Sequence, residues 1–200
     1  MVIGITGQTG AGKSTVCSYA KKLGFAALNA DLAAKEALVP GSDCLKALAE
    51  FFGYDIIDDN GFCKRTVLAR RAFSDAASTE MLNRITHPWI ISRCREYINE
   101  LSHKNNTAIL FDAPQLYESG GDVLCDMVIA VTAPAEVRLE RIIRRDGLSE
   151  EEALLRMRAQ KSEEYYTCRA DAVIDGGQPE EKVRESFRRI VEKWGILKGQ

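Results

Sequence analysis

The chain has 200 residues, 46% of them hydrophobic and 28% charged, with a formal net charge of -2. That length suits one main α/β domain with room for a smaller insertion, and it can bury a sizeable core. The near-neutral charge excludes the strongly basic surface of a general nucleic-acid binder, so any affinity for phosphate must be local.

Six cysteines, at positions 17, 44, 63, 94, 125 and 168, are scattered without a C-x-x-C pair. The pattern speaks against a zinc cluster or redox motif and for thiols in a reducing compartment. The start, Met1 to Ile5, lacks the basic lead and long apolar core of a signal peptide. No apolar run approaches the ~20 residues of a membrane span. We therefore expect a cytoplasmic protein, a monomer or small homo-oligomer, that engages neither membrane nor nucleic acid.

In chain order, near-continuous apolar runs predict buried strands at VIGIT (2–6), FAALN (25–29), AILFD (108–112) and MVIAVT (127–132), with a fifth at DAVID (171–175). Helical patterns follow the strands, and the last spans about 180–194. The alternation calls for a three-layer α/β fold with a parallel five-stranded sheet flanked by helices. Residues 31–107 are far longer than a crossover needs, and their pattern is helical apart from a turn at DDNG (58–61). They read as a helical insertion where a second substrate would dock. Residues 135–167 are also helical and rich in arginine. Within them Ser149 and Glu152 form a capping box that starts a helix near Glu150. This leaves a core of 1–30, 108–134 and 168–200, an insertion of 31–107 and a lid of 135–167.

Between the first strand and first helix, Gly7-Gln8-Thr9-Gly10-Ala11-Gly12-Lys13-Ser14 fits G-x-x-x-x-G-K-[ST] at every fixed position. Glycines let the backbone wrap an anion, so that amides and the helix N-terminus face the phosphates. Gly10, Ala11, Gly12, Lys13, Ser14 and Thr15 are the candidate ATP-binding residues. Lys13 would reach the β and γ phosphates, Ser14 would ligate Mg²⁺, and Thr15 could donate to the α phosphate. A dinucleotide site fits worse, because Thr15 stands where its third glycine should be. The motif identifies a P-loop NTPase fold and a triphosphate donor, but not the acceptor.

Phosphoryl transfer to an alcohol needs a carboxylate near the hydroxyl and cations around the transferred group. Asp31 directly follows the second strand and is the candidate base, with helix capping as its alternative. Asp112 ends the third strand in a Walker B-like pattern. It could hold Mg²⁺, bind the acceptor or cap a turn before Pro114. His87, one of only two histidines, reads more readily as a structural residue than as a site residue, and Pro88 beside it would suit a helix start. The arginines 138, 141, 144 and 145 include pairs at helical spacing. They form either a solvated charged face or a lid that neutralises phosphate oxygens.

An ordered set of segments resembles the dephospho-CoA kinase family over nearly the whole chain: GITGQTGAGKSTV, NADLAAKEAL, FGYDIIDDNGFCKRTVLARRAFSD, THPWI, FDAPQLYESG, RDGLSEEEALLRMRAQ and ADAVIDGG. The resemblance implies ATP-dependent phosphorylation of the ribose 3′-hydroxyl of dephospho-CoA. It implies a P-loop kinase fold in which the insertion holds the CoA-like portion. By position it makes Asp31 the general base and places His87 and Pro88 on the substrate-side wall. Asp112 becomes an active-site carboxylate near acceptor or metal, and Arg141 and Arg145 fall in the lid, with Gln160 on its second helix. Asp31, Lys13, Arg141 and Arg145 are thus the catalytic candidates, and Asp31, His87, Pro88 and Asp112 the acceptor-side ones. The chain departs from the family pattern at Asn29, where an Asp is usual, in Asp112-Ala113-Pro114-Gln115-Leu116-Tyr117-Glu118, and at Gly176-Gly177. A kinase for another small acceptor, such as a nucleoside or nucleotide, is the alternative. A guanine-nucleotide switch is disfavoured because N-K-x-D is absent.

Overall fold

The computed structural model describes residues 1–104 and 108–197. Residues 105–107, where the expected insertion ends, and 198–200, where the expected core ends, lie outside the described residues. The chain divides into two compact units, one formed by Met1–Leu28 with Ile98–Gln200 and the other by Asn29–Tyr97.

The first unit is built on a five-stranded parallel sheet of β1 (Val2–Thr6), β2 (Ala26–Asn29, its last residue already in the other unit), β3 (Ile109–Asp112), β4 (Met127–Thr132) and β5 (Ala172–Asp175). The strand order is β2-β3-β1-β4-β5. β1 pairs in parallel with β3 (Val2↔Ile109) and β4 (Ile3↔Met127), and β4 with β5 (Ile129↔Ala172). β1, β3 and β4 read as unbroken apolar runs because both of their faces are covered, whereas β2 and β5, at the two edges of the sheet, expose alternate residues. One face meets α1 (Lys13–Lys22) and α9 (Glu180–Lys193), where Val16, Ala20, Val183, Phe187 and Val191 pack on Ile3, Ile5, Leu110, Ile129, Val131 and Ile174. Phe187 is fully buried, with Tyr19 and Phe25 edge-on at 6.3 and 5.7 Å between centroids. Residues of the opposite parity, Val2, Phe111, Val128 and Ala130, are buried as well. The arginine-rich segment forms α6 (Ala135–Asp146), α7 (Glu150–Arg158) and α8 (Glu163–Thr167), with α8 packed on β4. The capping box at Ser149 and Glu152 is present and α7 starts at Glu150, as the spacing predicts.

The second unit is helical and has its own core. It contains α2 (Ala30–Glu36), α3 (Asp43–Phe52), a 3₁₀ turn (Tyr54–Ile56), α4 (Arg65–Ala72) and most of α5 (Ala76–Ser102). Leu45, Leu48, Ala49, Phe52, Ile56, Leu68 and Ala72 are buried together, with Ile85, Trp89 and Ile90 packed against them. Ser42 caps α3 by accepting from Leu45 N at 3.0 Å. The DDNG turn forms as predicted: Asp58 Oδ1 accepts from Asn60 N and Phe62 N, both at 2.9 Å, and Gly61 has φ 84°. Arg71 forks onto both oxygens of Asp55, at 2.6 and 2.5 Å.

Pro88 does not start a helix; it lies inside α5. The start is made by Asp75, whose carboxylate accepts from Ser78 N and Ser78 Oγ, both at 2.8 Å. A capped first turn with a packed face carries the helix past the single N–H that a proline removes.

Candidate active site

β1 ends at Thr6 and the chain turns through Gly7–Gly12 into α1. Gly10 and Gly12 adopt φ of 76° and 103°, a left-handed region that suits glycine. Space forbids a side chain at Gly10 too, since a Cβ there would lie 2.7 Å from Arg138 O. No side chain caps α1, and its first turn holds no acidic residue. The amides and positive dipole end of α1 are therefore left to an anion. Lys13 Nζ donates across the loop to Gly7 O at 2.6 Å and Gln8 O at 3.0 Å. Ser14 is exposed on the first turn, and Thr15 N donates to Gly12 O at 3.1 Å.

The register Ile5↔Asp112 sets Asp112 beside the strand end that enters the cradle. Burial lowers the pKa of the Lys13 ammonium, and the nearby Asp112 carboxylate works against that shift. The Cys17 thiol lies one turn along α1, within the influence of the Asp112 carboxylate. Burial first, and then Asp112, pushes its pKa up to about 12. Cys17 is thus a neutral thiol at ordinary pH.

α6 supplies three arginines to the same loop. Arg138 is 6% exposed; its Nε donates to Thr9 O at 2.9 Å and a second nitrogen to Gln8 Oε1. Arg141 joins the cradle to the turn after β5, donating to Gly10 O at 3.1 Å and Gly176 O at 2.9 Å. Arg145 lies 3.5 Å from Thr9 Oγ1 and pairs with Asp146 at 2.7 Å. Gly176 fits for a steric reason, because a Cβ there would lie 2.0 Å from Ala11 O. The helical spacing of 138, 141 and 145 signalled a shared face, but nothing in the spacing said that the face meets the cradle. The sequence marks Arg138 only as one of four arginines of a solvated face or a phosphate-neutralising lid, and Gln8 only as a variable position of the loop motif; neither is expected from it to tie the loop. Gln160 was expected on the second lid helix; it lies two residues beyond the end of α7, where its Oε1 accepts from Thr9 N at 2.9 Å.

Of the acceptor-side candidates, only Asp112 belongs to the first unit. Asp31, His87 and Pro88 belong to the second, on α2 and α5. The cap of α2 is Asn29, whose Oδ1 accepts from Asp31 N at 2.7 Å. Asp31 is the second residue of α2 and exposed, so the capping alternative for its carboxylate falls away. His87 is half-buried and Pro88 exposed.

A family model for dephospho-CoA kinase matches residues 1–181. The chain belongs to the dephospho-CoA kinase family. The dephospho-CoA kinase of Moorella thermoacetica is 40% identical over 188 residues, covering 94% of this chain and 89% of that protein. The dephospho-CoA kinase of Syntrophotalea carbinolica is 37% identical over 193 residues, covering 96% and 92%. Among solved structures, TT1252 from Thermus thermophilus superposes with a TM-score of 0.80 at 32% identity, covering 100% of this chain and 98% of that one. The dephospho-CoA kinase from Campylobacter jejuni gives 0.71 at 26% identity, covering 98% of each chain. A shikimate kinase from Acinetobacter baumannii, at 18% identity and a TM-score of 0.52, shares the fold alone. Family membership makes the chain an ATP-dependent kinase. Among the described residues, no helix is long and apolar enough to cross a membrane.

Proposed function

We propose that the chain transfers the γ-phosphoryl group of ATP to the ribose 3′-hydroxyl of dephospho-CoA, giving coenzyme A. The observation that carries this reading is the family match over residues 1–181, which includes the whole cradle and the segments downstream of it. The loop from Gly10 to Thr15 receives the donor, with Lys13 supplying a positive charge to the β and γ phosphates. Arg141 and Arg145 counter charge on the transferred group, standing beside Gly10 and Thr9. Asp31 accepts the proton of the attacking hydroxyl, a task open to it because Asn29 makes the cap. His87 and Pro88 form part of the acceptor wall, residues 31–107 hold the CoA-like portion, and residues 135–167 act as the lid.

The oxygens on offer suit Mg²⁺. Ser14 contributes an exposed hydroxyl and Asp112 a carboxylate, both hard donors, and no group of three or more His, Cys, Asp or Glu side chains forms a metal cage among the described residues. An ion that keeps its waters and leans on substrate phosphates needs few protein ligands. Bound there, Mg²⁺ would neutralise charge on the phosphate oxygens. All six cysteines are free thiols, which fits a cytoplasmic enzyme.

The test is ADP release with dephospho-CoA, nucleosides, nucleotides and shikimate supplied in turn. Dephospho-CoA is expected to exceed every other acceptor in kcat/KM by at least a hundredfold. A different best acceptor would overturn the assignment.

A further inference from the structure

The outer turn of the cradle, Gln8–Thr9, is tied on nearly every polar atom it has. Thr9 N donates to Gln160 Oε1 at 2.9 Å, and Thr9 O accepts from Arg138 Nε at 2.9 Å. Gln8 Oε1 accepts from Arg138, and Gln8 Nε2 donates to Lys161 O at 2.8 Å. Arg138 also reaches Gln160 Oε1 at 3.4 Å. Two side chains, Arg138 from α6 and Gln160 from beyond α7, thus close a ring of hydrogen bonds around Thr9, engaging the peptide groups on both sides of it.

A guanidinium that is 6% exposed is an expensive strut. No carboxylate lies within ion-pair distance of Arg138 among the described residues, and Glu163 and Tyr166 act on it only at longer range. Its fork is spent on neutral oxygens of the loop and of Gln160. The loop so held contains three glycines with positive φ, Gly7, Gly10 and Gly12, and would otherwise be costly to order on binding. Fixing it beforehand lowers that cost.

We propose that Arg138, acting with Gln160, is a positioning residue for the donor: it holds the Gln8–Thr9 turn so that the amides of residues 10–15 are set for a triphosphate before ATP arrives. The inference rests on reading this loop as the ATP cradle, but not on the identity of the acceptor.

The test is ATP affinity by calorimetry on the full chain without acceptor, in wild type, Arg138→Met, Arg138→Lys and Gln160→Ala, alongside thermal melts without nucleotide. We expect Arg138→Met to weaken ATP binding at least tenfold and Gln160→Ala three- to fivefold. Arg138→Lys keeps the charge but loses the fork, and should remain at least fivefold weaker than wild type. In turnover, KM for ATP should rise with the loss of affinity while KM for dephospho-CoA moves less than twofold. Should Arg138→Met fail to fold, Gln160→Ala decides alone. Folded variants that bind ATP within twofold of wild type, or full recovery in Arg138→Lys, would overturn the proposal. Because affinity is read without acceptor, an error in the acceptor does not disturb the comparison.

Discussion

At the head of α2, Asn29 Oδ1 accepts from Asp31 N at 2.7 Å, so the helix is capped two residues before the carboxylate assigned to proton transfer. The two side chains should therefore fail in different ways. Asn29→Ala removes a cap and should cost about 1 kcal/mol, read as a lower melting temperature, while Asn29→Asp keeps an acceptor and should stay close to wild type. Asp31→Ala should leave stability nearly unchanged and cut turnover by ~10² to 10⁴, with ATP affinity unaltered. Near-normal turnover of Asp31→Ala at saturating dephospho-CoA would remove Asp31 from its role as base. That Asp31 is either a base or a cap was legible in the sequence, because an Asp just beyond a strand has few uses. That Asn29 takes the capping use was not, because both residues cap well and only geometry shows which one accepts.

Among the elements, α5 carries a charged cap that titrates. Ser78 N first, and then the Ser74 and Ser78 hydroxyls, hold the Asp75 carboxyl at a pKa of about 2, below its usual 3.8. A lowered folded-state pKa adds stability above the unfolded value and loses it as the pH falls through the folded one. The stabilisation is thus complete above pH ~4 and fades between ~4 and ~2. Asp75→Asn keeps an acceptor that cannot titrate. The gap in melting temperature between wild type and this variant should shrink as the pH falls from 4 to 2; a constant gap would contradict the account. Strands were the most legible elements: VIGIT and MVIAVT match β1 and β4 end to end, and the other three runs overshoot by one residue at the start. Continuous apolar runs have no competing reading once glycine and charge bound them. The start of α5 was misread at Pro88, because a proline marks a helix start only when nothing upstream caps more firmly.

Over the whole molecule, the chain folds as two units, each with its own core. The backbone of the glycine loop and its place between β1 and α1 were legible, since G-x-x-x-x-G-K-[ST] constrains backbone geometry closely. The ties that hold the cradle were not legible. Arg138, Arg141 and Gln160 lie more than a hundred residues downstream, and helical spacing shows which side chains share a face without showing what that face meets. The loop geometry supports the proposed donor half of the chemistry; the acceptor half rests on the family. The most direct measurement is the product of ATP and dephospho-CoA with the purified chain, followed by phosphorus NMR and mass spectrometry. One new phosphomonoester on the ribose 3′-oxygen is expected for each ADP released. ADP without a phosphorylated product, or a phosphate placed elsewhere, would contradict it.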